Sequence, residues 1–136
     1  MLKFLSPLIC EPHIPDDGVN WDLYEPLIID LGMTGMSEPL VIPKGFTTDF
    51  GSIPWFIPDW IANPQGKAKR AYVMHDYLYR TQIFTQLVSD ALLNEGMIVE
   101  GVNWFQRFTV YRGLRLGGWV AWNNYTRHPY TPPKTI

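Results

Sequence analysis

One cysteine, Cys10, stands in 136 residues, which excludes an intramolecular disulfide framework and any multi-cysteine zinc or iron–sulfur site. The fold has to stand on its core. No run of 18 apolar residues occurs, so no segment is long enough to cross a bilayer as a helix. The opening MLKFLSPLIC is apolar only briefly, holds Pro7 and lacks the small residues of a cleavage site, so it reads as an edge strand. Charge is sparse as well. Charged residues make up 18% of the chain, 11 Lys and Arg against 13 Asp and Glu, for a formal charge of -2. With no basic field to hold a phosphate backbone, general nucleic-acid binding is excluded. The glycines of GMTGM, residues 32–36, come without the lysine or the strand-to-helix setting of a phosphate loop. Ser52 in GSIP lacks the glycine-flanked elbow of serine hydrolases, and Cys10, with no base nearby in sequence, reads as an unreactive buried thiol.

Aromatic residues are plentiful at 15%. With so little charge to cover the molecule, the surface itself should display rings and uncharged polar groups, which suits a docking protein. Gly and Pro fill 23 of the 136 positions, so much of the backbone should lie in turns and extended loops.

From Met1 to Pro43 short apolar groups are interrupted by Pro, Gly and Asp: FLSPLI, WDLYEPLIIDL and EPLVIP. Groups of this kind predict the strands of a small antiparallel sheet. Residues 44–60 read as an ordered loop stiffened by Pro54 and Pro58 and anchored by Trp55, Phe56 and Trp60. Helical spacing follows. Asn63 and Pro64 signal a helix start, and Ala68, Ala71, Tyr72, His75, Leu78 and Tyr79 recur by threes and fours up to Arg80. The connector TQIFTQ leads to a second helix, with Leu87, Ala91 and Met97 near one stripe and Gly96 as its C-terminal cap. Asn103 and Gln106 resemble a capping box opening a third helix, whose core candidates are Trp104, Phe105, Phe108, Tyr111, Leu114, Trp119 and Trp122. Gly117 and Gly118 either kink that helix or admit another backbone. The expected architecture is α+β: a small antiparallel sheet in the N-terminal half packed on an αα-hairpin plus a third, C-terminal helix. Residues 1–123 form one domain and 124–136 an extended proline-rich tail.

One cluster invites a chemical reading. If TQIFTQ turns near residues 82 and 83, antiparallel helices set His75 level with Asp90. A carboxylate beside an imidazole fixes one ring nitrogen as donor and raises the basicity of the other, so Asp90 would orient and His75 act as general base. Asp76 projects about 100° around the helix from His75 and could face Asp49 in the loop. Those two carboxylates with carbonyls of residues 45–51 suit calcium or magnesium. Zinc fits less well, because His13 and His128 lie in terminal segments. The same residues fit a structural hydrogen-bond network, with Tyr72 and Tyr79 as core rings whose hydroxyls reach the rim. Arg107, Arg112 and Arg115 suit phosphate or lipid head groups, a solvated face, or an interface with acidic residues.

PKGFTTDFGSIP at 43–54, AYVMHDYLYR at 71–80, SDALLNEGM at 89–97 and YRGLRLGGWVAW at 111–122 closely resemble a family of small phage and prophage proteins known as a domain of unknown function. The likeness extends to WDLYEPL and implies a phage origin near tail genes, with no established reaction. HDYLYR with a downstream Asp helix is also similar to the His-Asp helix of secreted phospholipases. That local likeness implies a water-activating His75, a calcium-binding Asp76, an orienting Asp90 and a supporting Tyr79. One cysteine cannot supply the disulfides of that scaffold, and residues 45–52 would have to replace its calcium loop. Two functions therefore stand as expectations. The first is a virion-associated protein of the tail or tail tip, made in the host cytoplasm, that docks to other phage virion proteins within an oligomeric assembly. The second is a metal-assisted hydrolase of a host-envelope ester or amide, using His75, Asp90 and Tyr79 with calcium or another divalent cation on Asp49 and Asp76.

Overall fold

The structure, a computed structural model, describes residues 1–50 and 66–132. It is an α+β fold, with two small antiparallel sheets and four helices among the described residues. The sequence reads 1–123 as one domain; the described residues divide into two compact units, 1–49 with 131–132, and 50 with 66–130. The helix start at Asn63 and Pro64 and the loop anchors Trp55, Phe56 and Trp60 lie outside the described residues.

In the first unit the strands divide between two sheets. β1 (Lys3–Phe4), β4 (Leu27–Asp30) and β5 (Leu40–Ile42) form one in the order β1-β4-β5. β2 (Cys10–Pro12), β3 (Trp21–Leu23) and β6 (Thr47–Thr48) form the other in the order β2-β3-β6. WDLYEPLIIDL therefore supplies strands to both, because Pro26 has no N–H for a ladder and breaks the run between Leu23 and Leu27. Period-two burial sets the register of the first sheet. Leu27, Ile29, Leu40 and Ile42 are buried, Val41 is exposed, and Leu27 pairs with Ile42. β1 lies at the edge of that sheet, as MLKFLSPLIC predicts, while Cys10 in β2 is only half-buried. After β4 the chain turns at Gly32, φ +65°, where a Cβ would stand 2.7 Å from the backbone carbon of Met1. Only glycine fits a left-handed turn pressed against another strand of backbone.

The second unit is helical: α1 (Lys69–Thr81), α2 (Gln86–Val99), α3 (Trp104–Gly117) and α4 (Trp119–Arg127). α1 ends where Gln82 turns left-handed at φ 51° and donates its backbone N–H to Leu78 at 2.9 Å. Thr85 caps α2 by accepting from the Val88 amide at 3.2 Å. The cap at the far end of α2 is Gly101 rather than Gly96. Gly101 has φ +80° and bonds Ile98, while Val102 bonds Met97, a Schellman closure; Gly96 is a buried residue inside the helix. Asn103 caps α3 as expected, accepting from the Gln106 amide at 2.9 Å. The helix then breaks at Gly118, and α4 continues through residues 124–127, which the sequence assigns to the tail. Gln82 holds that last turn by donating to the Trp122 carbonyl and to Thr126, each at 2.9 Å. Past it, Tyr130 sets its ring edge-on to Tyr77 at 6.1 Å.

Met74, Leu78, Leu93, Met97, Val110 and Leu114 are core side chains of this unit. Two expectations fail here for one reason. On α2, Leu87 is exposed and the inward stripe carries Ser89, Asp90, Leu93 and Met97. On α3, Trp104, Phe105 and Phe108 face out, as does Trp119 on α4, while Val110 and Leu114 face in. α2 turns Ser89 and Asp90 inward, and α3 buries only Val110, Gly113 and Leu114 while reaching Asp90 through Arg115, so apolar side chains that periodicity assigns to the core face out. Replacing Thr85 by Ala should cost about 1 kcal/mol, the usual worth of a helix N-cap. Urea unfolding of Thr85→Ala against wild type checks this.

Candidate functional site

α1, α2 and α3 meet around one carboxylate. Positions 75 and 79 lie one turn apart on α1, so His75 and Tyr79 point the same way. His75 Nε2 stands 2.8 Å from Asp90 Oδ1 on α2, and the Tyr79 hydroxyl donates to the same oxygen at 2.6 Å. From α3, Arg115 Nη1 donates to Asp90 Oδ2 at 2.7 Å. The Asp90 side chain is 0% exposed and that of His75 7%, whereas Arg115 keeps 34%. With Asp90 accepting, Nε2 carries a proton, and in the neutral form of the ring Nδ1 then holds the lone pair. Among the described residues Nδ1 has no hydrogen-bond partner.

The rings order the cluster. His75 packs on Tyr79 with centroids 4.2 Å apart, and Trp122 of α4 meets Tyr79 edge-on at 5.2 Å. Gln86 Nε2 donates to the Tyr79 hydroxyl at 3.3 Å. Burial, reinforced by the bond to Asp90, holds the Tyr79 phenol well above its ordinary pKa of 10.0. Burial alone pushes Tyr72 up to about 12. Gly118 makes room for this. A Cβ there would stand 2.7 Å from the Tyr79 hydroxyl and 2.6 Å from the Leu114 carbonyl, so the break in the helix and the close approach occur at one residue.

Asp76 has a separate ion pair. Asp76, also buried, accepts from Arg80 Nε at 2.9 Å, and Arg80 lies 4.8 Å over the Tyr125 ring. Asp49 belongs to the first unit and Asp76 to the second. Among the described residues no group of three or more His, Cys, Asp or Glu side chains gathers to hold a metal ion. The first unit has its own histidine pair: His13 Nδ1 lies 2.9 Å from Asp22 Oδ1, to which Thr47 also donates at 2.6 Å. Sequence reasoning reached His75, Asp90 and Tyr79. It gave Arg115 phosphate or lipid head groups, a solvated face or an interface with acidic residues without naming Asp90, and it missed Gln86. The adjacent glycines were the available signal, since they mark where α3 closes on its neighbours.

The pattern that defines DUF1353, a family described as proteins of unknown function, matches residues 21–114. The chain belongs to DUF1353. No curated protein and no solved structure matches the chain. The DUF1353 match spans His75, Asp76, Tyr79 and Asp90 and ends one residue before Arg115. The family's description carries no activity, so any role for these residues has to come from their geometry.

Two outcomes follow for the cluster. A tyrosine whose folded pKa lies above its unfolded value contributes stability that is whole below pH 10 and lost as pH climbs toward the folded value. Each such proton changes stability by about 1.4 kcal/mol per pH unit. Urea midpoints should therefore fall above pH 10, and less steeply in Tyr72→Phe and Tyr79→Phe. Gly118→Ala should lower the unfolding midpoint relative to wild type, because it drives a methyl into a hydroxyl and a carbonyl; thermal denaturation of the two proteins checks it.

Proposed function

We propose that this DUF1353 chain is a phage virion-associated protein of the tail or its tip, acting through docking to other virion proteins. The observation that carries the reading is the row of large apolar side chains on α3 and α4. Trp104, Phe105, Phe108, Leu116, Trp119 and Val120 are between 45% and 73% exposed. At about 100° per residue the α3 members, with Arg112, share roughly a third of the helix circumference. Scattered apolar side chains are ordinary on a surface; a contiguous set of this kind marks an interaction site.

The row is ordered before any partner arrives. Trp104 and Phe108 stack at 5.3 Å with planes 20° apart, and the Arg112 guanidinium lies 5.2 Å over Phe108. Pre-ordered rings lose little side-chain entropy on docking, and Trp and Arg rank among the residues that dominate binding energy. The phage assignment rests on the likeness of the 43–54, 71–80, 89–97 and 111–122 segments to phage and prophage proteins. Mass spectrometry of purified particles of the encoding phage should detect the chain in stoichiometric amount, with Phe108→Ser depleted from particles although folded by circular dichroism. Particles free of the wild-type chain would overturn the docking role.

A second reading is favoured by the free Nδ1 of His75. Oriented by Asp90 through Nε2, that ring has the arrangement of a general base for water attack on an ester or amide. The reading uses His75 and Asp90, with Tyr79 donating to Asp90, and it requires no cation. Tested on a panel of activated esters, wild type should exceed His75→Ala by about a hundredfold or more. Equal rates in the two proteins would end this reading.

A further inference from the structure

The formal charge of -2 conceals a strong asymmetry along the chain. Residues 101–136 hold Arg107, Arg112, Arg115, Arg127 and Lys134 with no aspartate or glutamate. Residues 1–49 hold eight carboxylates against Lys3 and Lys44. Of the arginines, Arg115 is paired with Asp90, while Arg112 lies over Phe108 within the exposed row of α3, so a partner that covers the row should be apolar and acidic. The first unit carries such a surface in the loop between β2 and β3, residues 13–20. There Ile14 is 84% and Val19 58% exposed, beside the exposed Asp16 and Asp17.

That loop is held by hydrogen bonds of its own. Asp16 Oδ1 accepts from the Gly18 amide at 2.9 Å. Asp17 Oδ1 accepts from the amides of Val19 and Asn20 at 2.9 and 2.7 Å, and its Oδ2 from Asn20 Nδ2 at 2.6 Å. The His13 amide closes the base of the loop on the Asn20 carbonyl at 3.0 Å. Two ordered surfaces of opposite charge, each with exposed apolar side chains, occur on one polypeptide.

We infer that the chain assembles head to tail, the 13–20 loop of one copy docking on the α3–α4 row of the next. The inference rests on the docking reading of that row and names its partner as a second copy of this chain. Ile14 and Val19 cover Phe108 and Leu116, and the carboxylates of the loop face Arg112. Because the two surfaces differ, the contact is heterologous and each copy keeps one surface free, so growth runs to a ring or a filament and not to a two-fold dimer.

Sedimentation velocity of the full chain tests it. The expected result is a mass that rises with concentration beyond a dimer and falls with added salt. Arg112→Glu spoils the row and Ile14→Lys spoils the loop; both sites are exposed and neither breaks a loop hydrogen bond, so both variants should fold and run as monomers. Their mixture contains one intact row and one intact loop, and should form one-to-one dimers that grow no further, with affinity at least about tenfold above either variant alone. A wild-type monomer at every concentration overturns the inference. So does a dimer that both variants retain, or co-sedimentation with phosphatidylglycerol vesicles in place of self-association. A solution monomer that still enters phage particles overturns self-assembly and leaves the docking role standing; self-association by a chain absent from particles does the reverse.

Discussion

A carboxylate with no access to water has to find its donors inside the protein, and Asp90 takes three, from His75, Tyr79 and Arg115. The arrangement of the helical unit follows from that requirement. α1 supplies two donors one turn apart, α2 carries the acceptor, and α3 has to approach closely enough for an arginine to reach in. Removing one partner of a buried, hydrogen-bonded charge typically costs about 3–5 kcal/mol, more than most single apolar contacts. The glycine at 118 leaves room for the Tyr79 hydroxyl that donates to this group.

The orientation of α3 explains why rings lie on the surface. Once α3 buries Val110 and Leu114 and directs the Arg115 guanidinium to Asp90, Trp104, Phe105 and Phe108 are left exposed. The buried cluster and the exposed row are two sides of one helix orientation. An apolar face kept outside is unfavourable for an isolated molecule, and its persistence gives the docking reading its physical content.

Much of the cluster was legible because it depends on local geometry. Helical spacing brings positions 75 and 79 together, and a short connector fixes which residues of the hairpin stand level. Asn103 and Gln106 likewise declared the start of α3, since capping involves only neighbours. Arg115 was not legible. Its reach to Asp90 depends on how α3 crosses the hairpin, and no spacing within one helix encodes a crossing. Gly96 and Gly101 show the same limit at closer range: both are glycines near a helix end, and only the backbone path makes Gly101 the left-handed cap.

By itself the amino-acid sequence determined the α+β class, the absence of an intramolecular disulfide, the family, and the pairing of His75 with Asp90 across a hairpin. These rest on composition and on interactions between residues near in sequence. Tertiary structure alone decided which faces of α2 and α3 turn inward, the division of the strands into two sheets, and the arginine that completes the Asp90 cluster. For the helices the physical reason is that the buried Asp90 carboxylate needs donors from more than one of them. Satisfying it is a property of three helices together, which no single segment can express.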